Sequence, residues 1–157
     1  MITKAQVQAK AREFIGTPFK DQHRVKGKNG GVDCVGVVLL AAEELGISYK
    51  DTAEMRGSDY LNYRAGGGGI DANVLEECQK RLIEKPVKNM AAGDVIVMRV
   101  PTIPCHCAIL TERNGVLYMV HAYNGSGAKK NFVVENILDE QWRRRICGVF
   151  SYPGVED

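Results

Sequence analysis

Cys34, His106 and His121 are the residues whose types and positions could support nucleophilic chemistry. Cys34 follows Asp33, a residue type that caps helix N-termini, and an apolar run begins at Val35. A cysteine in the first turn of a helix meets unpaired backbone N–H groups and the positive end of the helix dipole, both of which favour the thiolate. This position therefore predicts a nucleophilic thiol. A small apolar residue at the start of a buried helix is the alternative interpretation.

The two histidines are expected on one face of a β-hairpin. The turn of this hairpin is Asn114-Gly115, the dipeptide typical of two-residue hairpin loops. With that turn, His121 lies opposite Ala108 and becomes a diagonal neighbour of His106, about 7 to 8 Å away at the backbone. We therefore predict that His106 acts as a base toward the cysteine thiol and that His121 orients its ring. Two unrelated histidines near strand ends are the alternative.

A metal site is the competing interpretation of the segment Cys105-His106-Cys107. Successive side chains of a β-strand point to opposite faces, so both cysteines are expected to point away from His106. One ion could not readily be held by all three, and no Cys-x-x-Cys spacing occurs in the sequence. We therefore predict no metal and no cofactor. Both flanking cysteines are expected in the core, and Cys78 and Cys147 are expected to be packing residues as well.

Other features that could bind a ligand are better explained by solvation. His23 lies in the basic, glycine-rich loop 19–32 and is expected to be a solvated loop residue. The run 143–145 of three arginines and the loop around Lys26 are typical of a solvated face, because the net charge is only +2. The glycine run 66–69 lacks the Gly-Lys-Ser/Thr ending of a phosphate loop, so a flexible loop is expected there.

Three helices are expected in the first half of the chain. The first runs from Thr3 to Ile15 and starts with a Thr-x-x-Gln capping box. Its buried face should consist of Val7, Ala11, Phe14 and Ile15. The second helix begins after Asp33 and ends at Gly46, and because it is apolar nearly all round it should lie in the centre of the domain. A third, amphipathic helix is expected at 70–82.

Beyond Pro86 the sequence changes to short runs rich in β-branched residues. These predicted strands lie at 95–100, 107–111, 116–121, 132–134 and 146–150. Short turns rather than helices separate them. Helices first and strands second imply an α+β fold in which N-terminal helices pack on an antiparallel β-sheet, with residues 1–157 forming a single domain.

Composition limits the possible function classes. The 157 residues are 45% hydrophobic and 25% charged, as in a folded globular protein. A net charge of +2 gives no field that attracts nucleic acid or an anionic membrane, and the longest apolar run, 35–42, is far shorter than the roughly 20 residues of a membrane helix. No nucleic-acid or membrane partner is therefore expected. The odd count of 5 cysteines and the absence of an apolar leader argue against a disulfide framework and predict a protein that is cytoplasmic as synthesised.

Several short segments occur in an order typical of one enzyme family. They are Phe-Ile-Gly-Thr-Pro-Phe at 14–19, Gly-Val-Asp-Cys-Val-Gly at 31–36, Gly-Asp-Val at 93–95, His106 at a strand start, and His-Ala at 121–122. Together they resemble the NlpC family of papain-like cell-wall peptidases. Segments 22–27, 142–145 and 150–154 resemble its phage-tail and gene-transfer-agent branch. The similarity extends over nearly the whole chain.

The resemblance implies a circularly permuted papain-like fold and a cysteine peptidase. The implied substrates are peptidoglycan stem peptides, cut typically between a D-γ-glutamyl group and a diamino acid. Cys34 would be the nucleophile, His106 the general base and His121 the third polar residue. Phage-tail proteins are the further partners that the resemblance implies, with a virion or tail location.

Two positions depart from the family pattern. Phe19 stands where the family often has a tyrosine that is thought to help the oxyanion site, and Val35 stands where serine commonly follows the cysteine. Losing one oxyanion donor typically costs about 100-fold or more in rate. A catalytically weak or inactive structural tail-assembly subunit on the same fold is therefore the alternative function.

Overall fold

A computed structural model describes residues 1–20, 23–49, 73–100, 104–123 and 131–157. The α-helices of these ranges are α1 (Lys4–Arg12), α2 (Cys34–Leu45), α3 (Asn73–Arg81) and α4 (Glu140–Arg145), and a 3₁₀ turn covers Val87–Asn89. The strands are β1 (Ile2–Thr3), β2 (Arg24–Val25), β3 (Gly31–Val32), β4 (Ile83–Lys85), β5 (Val95–Arg99), β6 (Pro104–Arg113), β7 (Val116–Tyr123), β8 (Phe132–Ile137), β9 (Ile146–Ser151) and β10 (Val155–Glu156).

A six-stranded antiparallel sheet forms the centre of the fold, in the strand order β4-β9-β5-β6-β7-β8. Two small pairs accompany it: β1 with β10 in parallel, and β2 with β3 antiparallel. Helices α1, α2 and α3 contact strand β6 of the large sheet. The predicted α+β class, with helices packed on an antiparallel sheet, is therefore confirmed.

The β6–β7 hairpin has the register that its turn predicts. Asn114 and Gly115 have φ values of 51° and 80°, and both central residues of a type I′ turn require positive φ. Arg113 consequently pairs with Val116, and the pairing continues without a shift along the described ladder. The two histidines of the sequence analysis therefore lie on the same face of neighbouring strands.

Helix α2 has both of the predicted caps. The side chain of Asp33 accepts a hydrogen bond from the Gly36 N–H at 2.8 Å, and Gly46 ends the helix in the left-handed conformation with φ 70°. All residues 34–42 are buried, so this helix runs through the hydrophobic core. No helix among the described residues has the length and apolar character needed to cross a membrane.

Helix α1 begins with the predicted capping box but ends earlier than predicted. The box joins Thr3 and Gln6 through two reciprocal hydrogen bonds. The helix ends at Arg12, whereas the prediction continued to Ile15. Because the chain turns after this point, Ile15 leaves the buried face and is 43% exposed, while Phe14 remains fully buried. The assignment of Ile15 to the buried face was therefore wrong.

The predicted strands are all present, and several are longer than predicted. Strand β8 continues to Ile137 although Glu135 and Asn136 have low β-propensity, because pairing with β7 outweighs that preference. Helix α3 covers Asn73–Arg81, and positions 70–72 of the predicted helix, like the predicted loop 66–69, lie outside the described residues. Strand β4 and helix α4 were not predicted, since segments of three and six residues show too few repeats for a periodicity signal.

The two faces of the sheet support separate hydrophobic clusters. The face toward α1 and α2 includes Cys107, Ile109, Val120 and Ala122. The opposite face carries Ile96, Met98, Ala108, Leu110, Met119, Leu138 and Val149, with Trp142 packed against them. Because side chains alternate along a strand, His106 and His121 belong to the second face.

Phe14 and Ile15 offer a matched test of which residue contributes to the core. The change Phe14→Ala removes a fully buried ring and should lower the free energy of unfolding by about 3–5 kcal/mol. The neighbouring change Ile15→Ala removes a largely exposed side chain and should alter it by less than about 0.5 kcal/mol. Urea unfolding followed by circular dichroism measures both values. Equal losses in the two variants would contradict the burial assignment.

Candidate active site

The thiol of Cys34 is held at the N-terminus of α2. Cys34 is the first helical residue and is 6% exposed. The capping residue Asp33 is fully buried, and its backbone N–H donates to the carbonyl oxygen of His23 at 3.2 Å. The imidazole of His23 is itself exposed, so this residue supports the site through its backbone. The positive end of the α2 dipole therefore lies beside the sulfur.

Gly36 permits this arrangement because the preceding loop passes very close to the helix. A Cβ atom at this position would lie 2.6 Å from the carbonyl oxygen of His23 and 3.2 Å from Oδ1 of Asp33. A larger residue would push the loop away from the cap. The glycine two residues after the cysteine is therefore a packing requirement of the helix start.

The structure brings His106 and His121 into direct contact. Nε2 of His106 lies 2.7 Å from Nδ1 of His121, and the ring planes meet at 74° with centroids 5.0 Å apart. This is the diagonal proximity that the hairpin register predicted. One nitrogen of His106 is occupied by this hydrogen bond, and the other remains for the cysteine.

His121 is the more deeply buried of the two histidines. It is 1% exposed, and its Nε2 lies 2.6 Å from Oδ1 of Asn136. Burial lowers the pKa of His121 to about 3. The charge of His106 also lowers this pKa, whereas the hydrogen bond with Asn136 raises it. His121 is therefore uncharged at neutral pH.

Cys34 is in contact with His106 and also with Cys107. The thiol of Cys107 donates to the carbonyl oxygen of Cys34 at 3.2 Å. A hydrogen bond with the Cys107 side chain lowers the pKa of Cys34 well below that of an ordinary thiol, although burial opposes this effect. A hydrogen bond with His106 and the charge of His106 lower it further. The sulfur of Cys34 therefore ionises at a lower pH than a free thiol.

The neighbouring cysteines do not share this property. The hydrogen bond with Cys34 and burial raise the pKa of Cys107, so Cys107 remains a protonated donor. Burial raises the pKa of Cys78 to about 12, and burial also raises the pKa of Cys147. Each of these described cysteines is a free thiol. The predicted core location of Cys107 is confirmed, whereas the side chain of Cys105 lies outside the description.

Cys107 reaches Cys34 in a way that strand alternation does not predict. Cys107 belongs to the cluster on the helix side of the sheet, away from His106, as expected. Both residues nevertheless interact with Cys34. Within the described ranges, no three His, Cys, Asp or Glu side chains come together as potential metal ligands.

Trp142 covers the histidine pair and was not identified from the sequence as a site residue. Its ring centroid lies 5.9 Å from that of His106, 5.4 Å from that of His121 and 6.1 Å from that of Tyr123. The guanidinium of Arg145 stacks on the indole at 4.9 Å from its centroid. Trp142 therefore forms an apolar wall that shields the hydrogen bond between the histidines from water.

Phe19 lies in the core rather than presenting a polar group. Its side chain is partly buried against the cluster that includes Cys34, and its backbone forms a bridge with Val32. A phenyl ring has no hydroxyl and cannot donate to an oxyanion. Phe19 therefore cannot take the place of a side-chain hydrogen-bond donor beside Cys34.

Comparisons with known proteins identify a family for this chain. The profile of the NlpC/P60 family matches residues 16–151, which is most of the chain. No curated protein matches the chain significantly in sequence.

Solved structures share the fold at low sequence identity. The NlpC/p60 domain of the peptidoglycan hydrolase SagA matches with a TM-score of 0.56 and 17% identity over 96% of this chain and 99% of that one. The P60 domain of antigen MAP1204 from M. avium subspecies paratuberculosis matches with a TM-score of 0.55 and 16% sequence identity, over 94% of this chain and 93% of that one. Ly7917, crystallised with the hydrolysis product of MDP, matches with a TM-score of 0.60 and 12% sequence identity, over 97% of this chain and 64% of that one.

The lowered pKa of Cys34 predicts a selective reaction with alkylating reagents. At about pH 6.5, iodoacetamide should modify Cys34 before Cys78 or Cys147, since free thiols have a pKa of about 8.5 and are mostly protonated there. The rate of Cys34 modification should fall only at a lower pH, where the Cys34 thiolate becomes protonated. Mass spectrometry of the digested protein across a pH series measures the rate for each cysteine.

A matched variant tests the cause of this reactivity. His106→Gln removes the positive charge beside the sulfur, so the rate profile of Cys34 should shift to higher pH. Cys78→Ala should leave the profile where it is. A profile for Cys34 that coincides with that of a free thiol would refute the assignment.

Proposed function

The chain belongs to the NlpC/P60 family, and from this premise we propose that it is a cysteine peptidase that hydrolyses amide bonds in peptidoglycan stem peptides. The observation that supports the proposal best is a buried thiol at a helix N-terminus, in contact with a histidine that a second histidine holds at 2.7 Å. SagA, which has a similar fold, is a peptidoglycan hydrolase. The chemistry of the site and the family membership are consistent with the same reaction class.

Cys34 and His106 divide the chemistry of the proposed reaction. The thiolate attacks the amide carbonyl carbon, and as the C–N bond breaks the His106 imidazolium gives its proton to the leaving amine. A water molecule then attacks the acyl-enzyme while His106 accepts one of its protons. The C–S bond breaks, the acid product leaves, and the thiolate–imidazolium pair is restored.

His121 has an orienting role in this proposal. Its contact with Nε2 of His106 fixes the plane of that ring and stabilises the imidazolium. Because the pKa of His121 is about 3, it adds no positive charge that would compete with the charge on His106. The proposed triad is therefore Cys34, His106 and His121.

A missing side-chain donor for the oxyanion is the observation behind a second candidate function. We assign the backbone N–H of Cys34 as one donor, because it lies in the first turn of α2, next to the attacking sulfur and at the positive end of the helix dipole. Phe19 supplies no side-chain donor. A structural tail-assembly subunit with little or no turnover is therefore the alternative, and it predicts a folded protein that cleaves no muropeptide.

The proposed scissile bond joins a D-γ-glutamyl group to a diamino acid. Defined muropeptides incubated with the protein should yield the two corresponding fragments, identified by mass spectrometry. Cys34→Ala should abolish cleavage, because the remaining groups cannot form the acyl-enzyme. Cys147→Ala is the matched control and should retain activity. Undiminished cleavage by Cys34→Ala would reject the mechanism, and fragments cut elsewhere would reject the proposed bond.

We also propose that the protein is made in the cytoplasm and joins a phage tail or a related particle. The proposal is supported by segments 22–27, 142–145 and 150–154, which resemble the tail branch of the family. Of these, Trp142 packs over the histidine pair. Particles purified by density gradient from the producing cells should contain the chain at a fixed ratio to the tail proteins. Its presence only in the unassembled fraction would contradict the association.

A further inference from the structure

Asn136 extends the hydrogen-bonded chain behind the two histidines. Its Oδ1 lies 2.6 Å from Nε2 of His121, and its Nδ2 donates to the carbonyl oxygen of Ile137 at 3.1 Å. Because the amide nitrogen is engaged with Ile137, the oxygen is the atom that faces His121. An amide oxygen only accepts hydrogen bonds, so Nε2 of His121 must carry a proton.

This proton determines the direction of the next hydrogen bond. A neutral imidazole has one protonated nitrogen and one lone pair, so Nδ1 of His121 is an acceptor when Nε2 is protonated. The 2.7 Å contact then requires Nε2 of His106 to donate. The hydrogen bond between His106 and Cys34 consequently uses Nδ1 of His106. In neutral His106 this nitrogen has a lone pair and can take the thiol proton.

We propose that Asn136 is a positioning residue that fixes the tautomer of His121 and thereby keeps Nδ1 of His106 available to the Cys34 thiol. The effect on catalysis rests on the proposed peptidase function, whereas the tautomer does not. With the opposite tautomer, Nδ1 of His121 would donate to Nε2 of His106. The proton of neutral His106 would then sit on Nδ1, where it prevents acceptance of the thiol proton.

The sheet register places Asn136 where this role requires it. Asn136 pairs with Met119, and His121 pairs with Val134, so Asn136 and His121 are diagonal neighbours on the same face of β7 and β8. The preceding residue, Glu135, points to the other face. Asn136 therefore reaches His121 from the neighbouring strand without any change of register.

A neutral partner suits His121 because few charged groups face it. Among the described residues of the elements packed against it, the titratable or charged groups in contact with His121 are His106 of β6 and Tyr123 of its own strand, and Arg145 of α4 stacks on the neighbouring Trp142. A carboxylate at position 136 would favour the charged form of His121. A charged His121 has no lone pair and could not accept the hydrogen bond from His106.

Two substitutions separate the acceptor from the charge. Asn136→Leu has a similar size and no acceptor, so His121 should lose its preference for the Nε2 proton. Asn136→Asp keeps an acceptor oxygen and should keep that proton. The matched control is Ile137→Ala on the same strand, where the side chain is exposed. Should Asn136→Leu fail to fold, Asn136→Ala removes the same acceptor with a smaller side chain.

The direct readout is the tautomer itself. In ¹⁵N spectra of protein labelled at histidine, His121 of the unchanged protein should show protonated Nε2 and unprotonated Nδ1. Asn136→Leu should show a detectable population with the proton on Nδ1, and Ile137→Ala should match the unchanged protein. An unaltered His121 tautomer in a folded Asn136→Leu or Asn136→Ala protein would overturn the proposal.

The kinetic readout distinguishes positioning from general destabilisation. For Asn136→Leu, kcat for muropeptide cleavage should fall about 10- to 100-fold with little change in KM, less than the roughly 10⁴-fold loss typical of a triad in the wrong tautomer. For Asn136→Asp, the acidic limb of the kcat profile should move to higher pH, because the carboxylate raises the pKa of His121. An unchanged kcat and an unchanged pH profile of kcat in both variants would contradict the positioning role of Asn136.

The two proposals can fail separately. If the unchanged protein cleaves no muropeptide, the peptidase function fails, while the ¹⁵N spectra and the pH profile of Cys34 alkylation still decide the role of Asn136. If cleavage occurs and the tautomer is insensitive to Asn136→Leu, the peptidase function stands and the positioning role is rejected.

Discussion

The contact between the Cys34 thiol and the His106 ring constrains the rest of the fold. A thiol that is 6% exposed ionises readily only beside compensating charge and hydrogen bonds, which here come from Cys107, His106 and the start of α2. The N-terminus of α2 must therefore meet the sheet at His106. A helix that does so passes through the core, and this explains why all residues 34–42 are apolar or small and buried.

The parts of the site that local signals determine could be predicted from the sequence. A two-residue Asn-Gly turn leaves no freedom of register, so the proximity of His106 and His121 followed from counting residues. Asp33 and Gly46 bracket α2 because each relieves unpaired backbone groups at one helix end, which is a local effect. The order of helices and strands was likewise sufficient for the α+β class. These predictions needed no information about contacts distant in the sequence.

The remaining parts depend on placements that no local signal determines. Asn136 reaches His121 through the register of β7 and β8, and the eight residues 124–131 between these strands are too many for that register to be counted as across a two-residue turn. Slipping β8 by one residue would turn Asn136 to the opposite face. Trp142 lies on a helix of six residues, too short for a periodic signal. The contact of Cys107 with Cys34 depends on how the helix end meets the sheet. Ile15 was misplaced because the end of α1 is a tertiary feature.

The uncharged chain behind His106 is compatible with the single thiolate–imidazolium pair of the proposed mechanism. Removing one unpaired charge from water costs several kcal/mol, and a second positive charge on His121 would add such a cost next to the His106 imidazolium. The burial of His121 and the amide of Asn136 together avoid this cost, since an amide orients the ring without drawing a proton onto it. In the proposed mechanism, the positive charge then stays on the ring that contacts the sulfur. A carboxylate in the same place would also accept from Nε2 of His121, but it would favour a charged His121, which could no longer accept the hydrogen bond from His106.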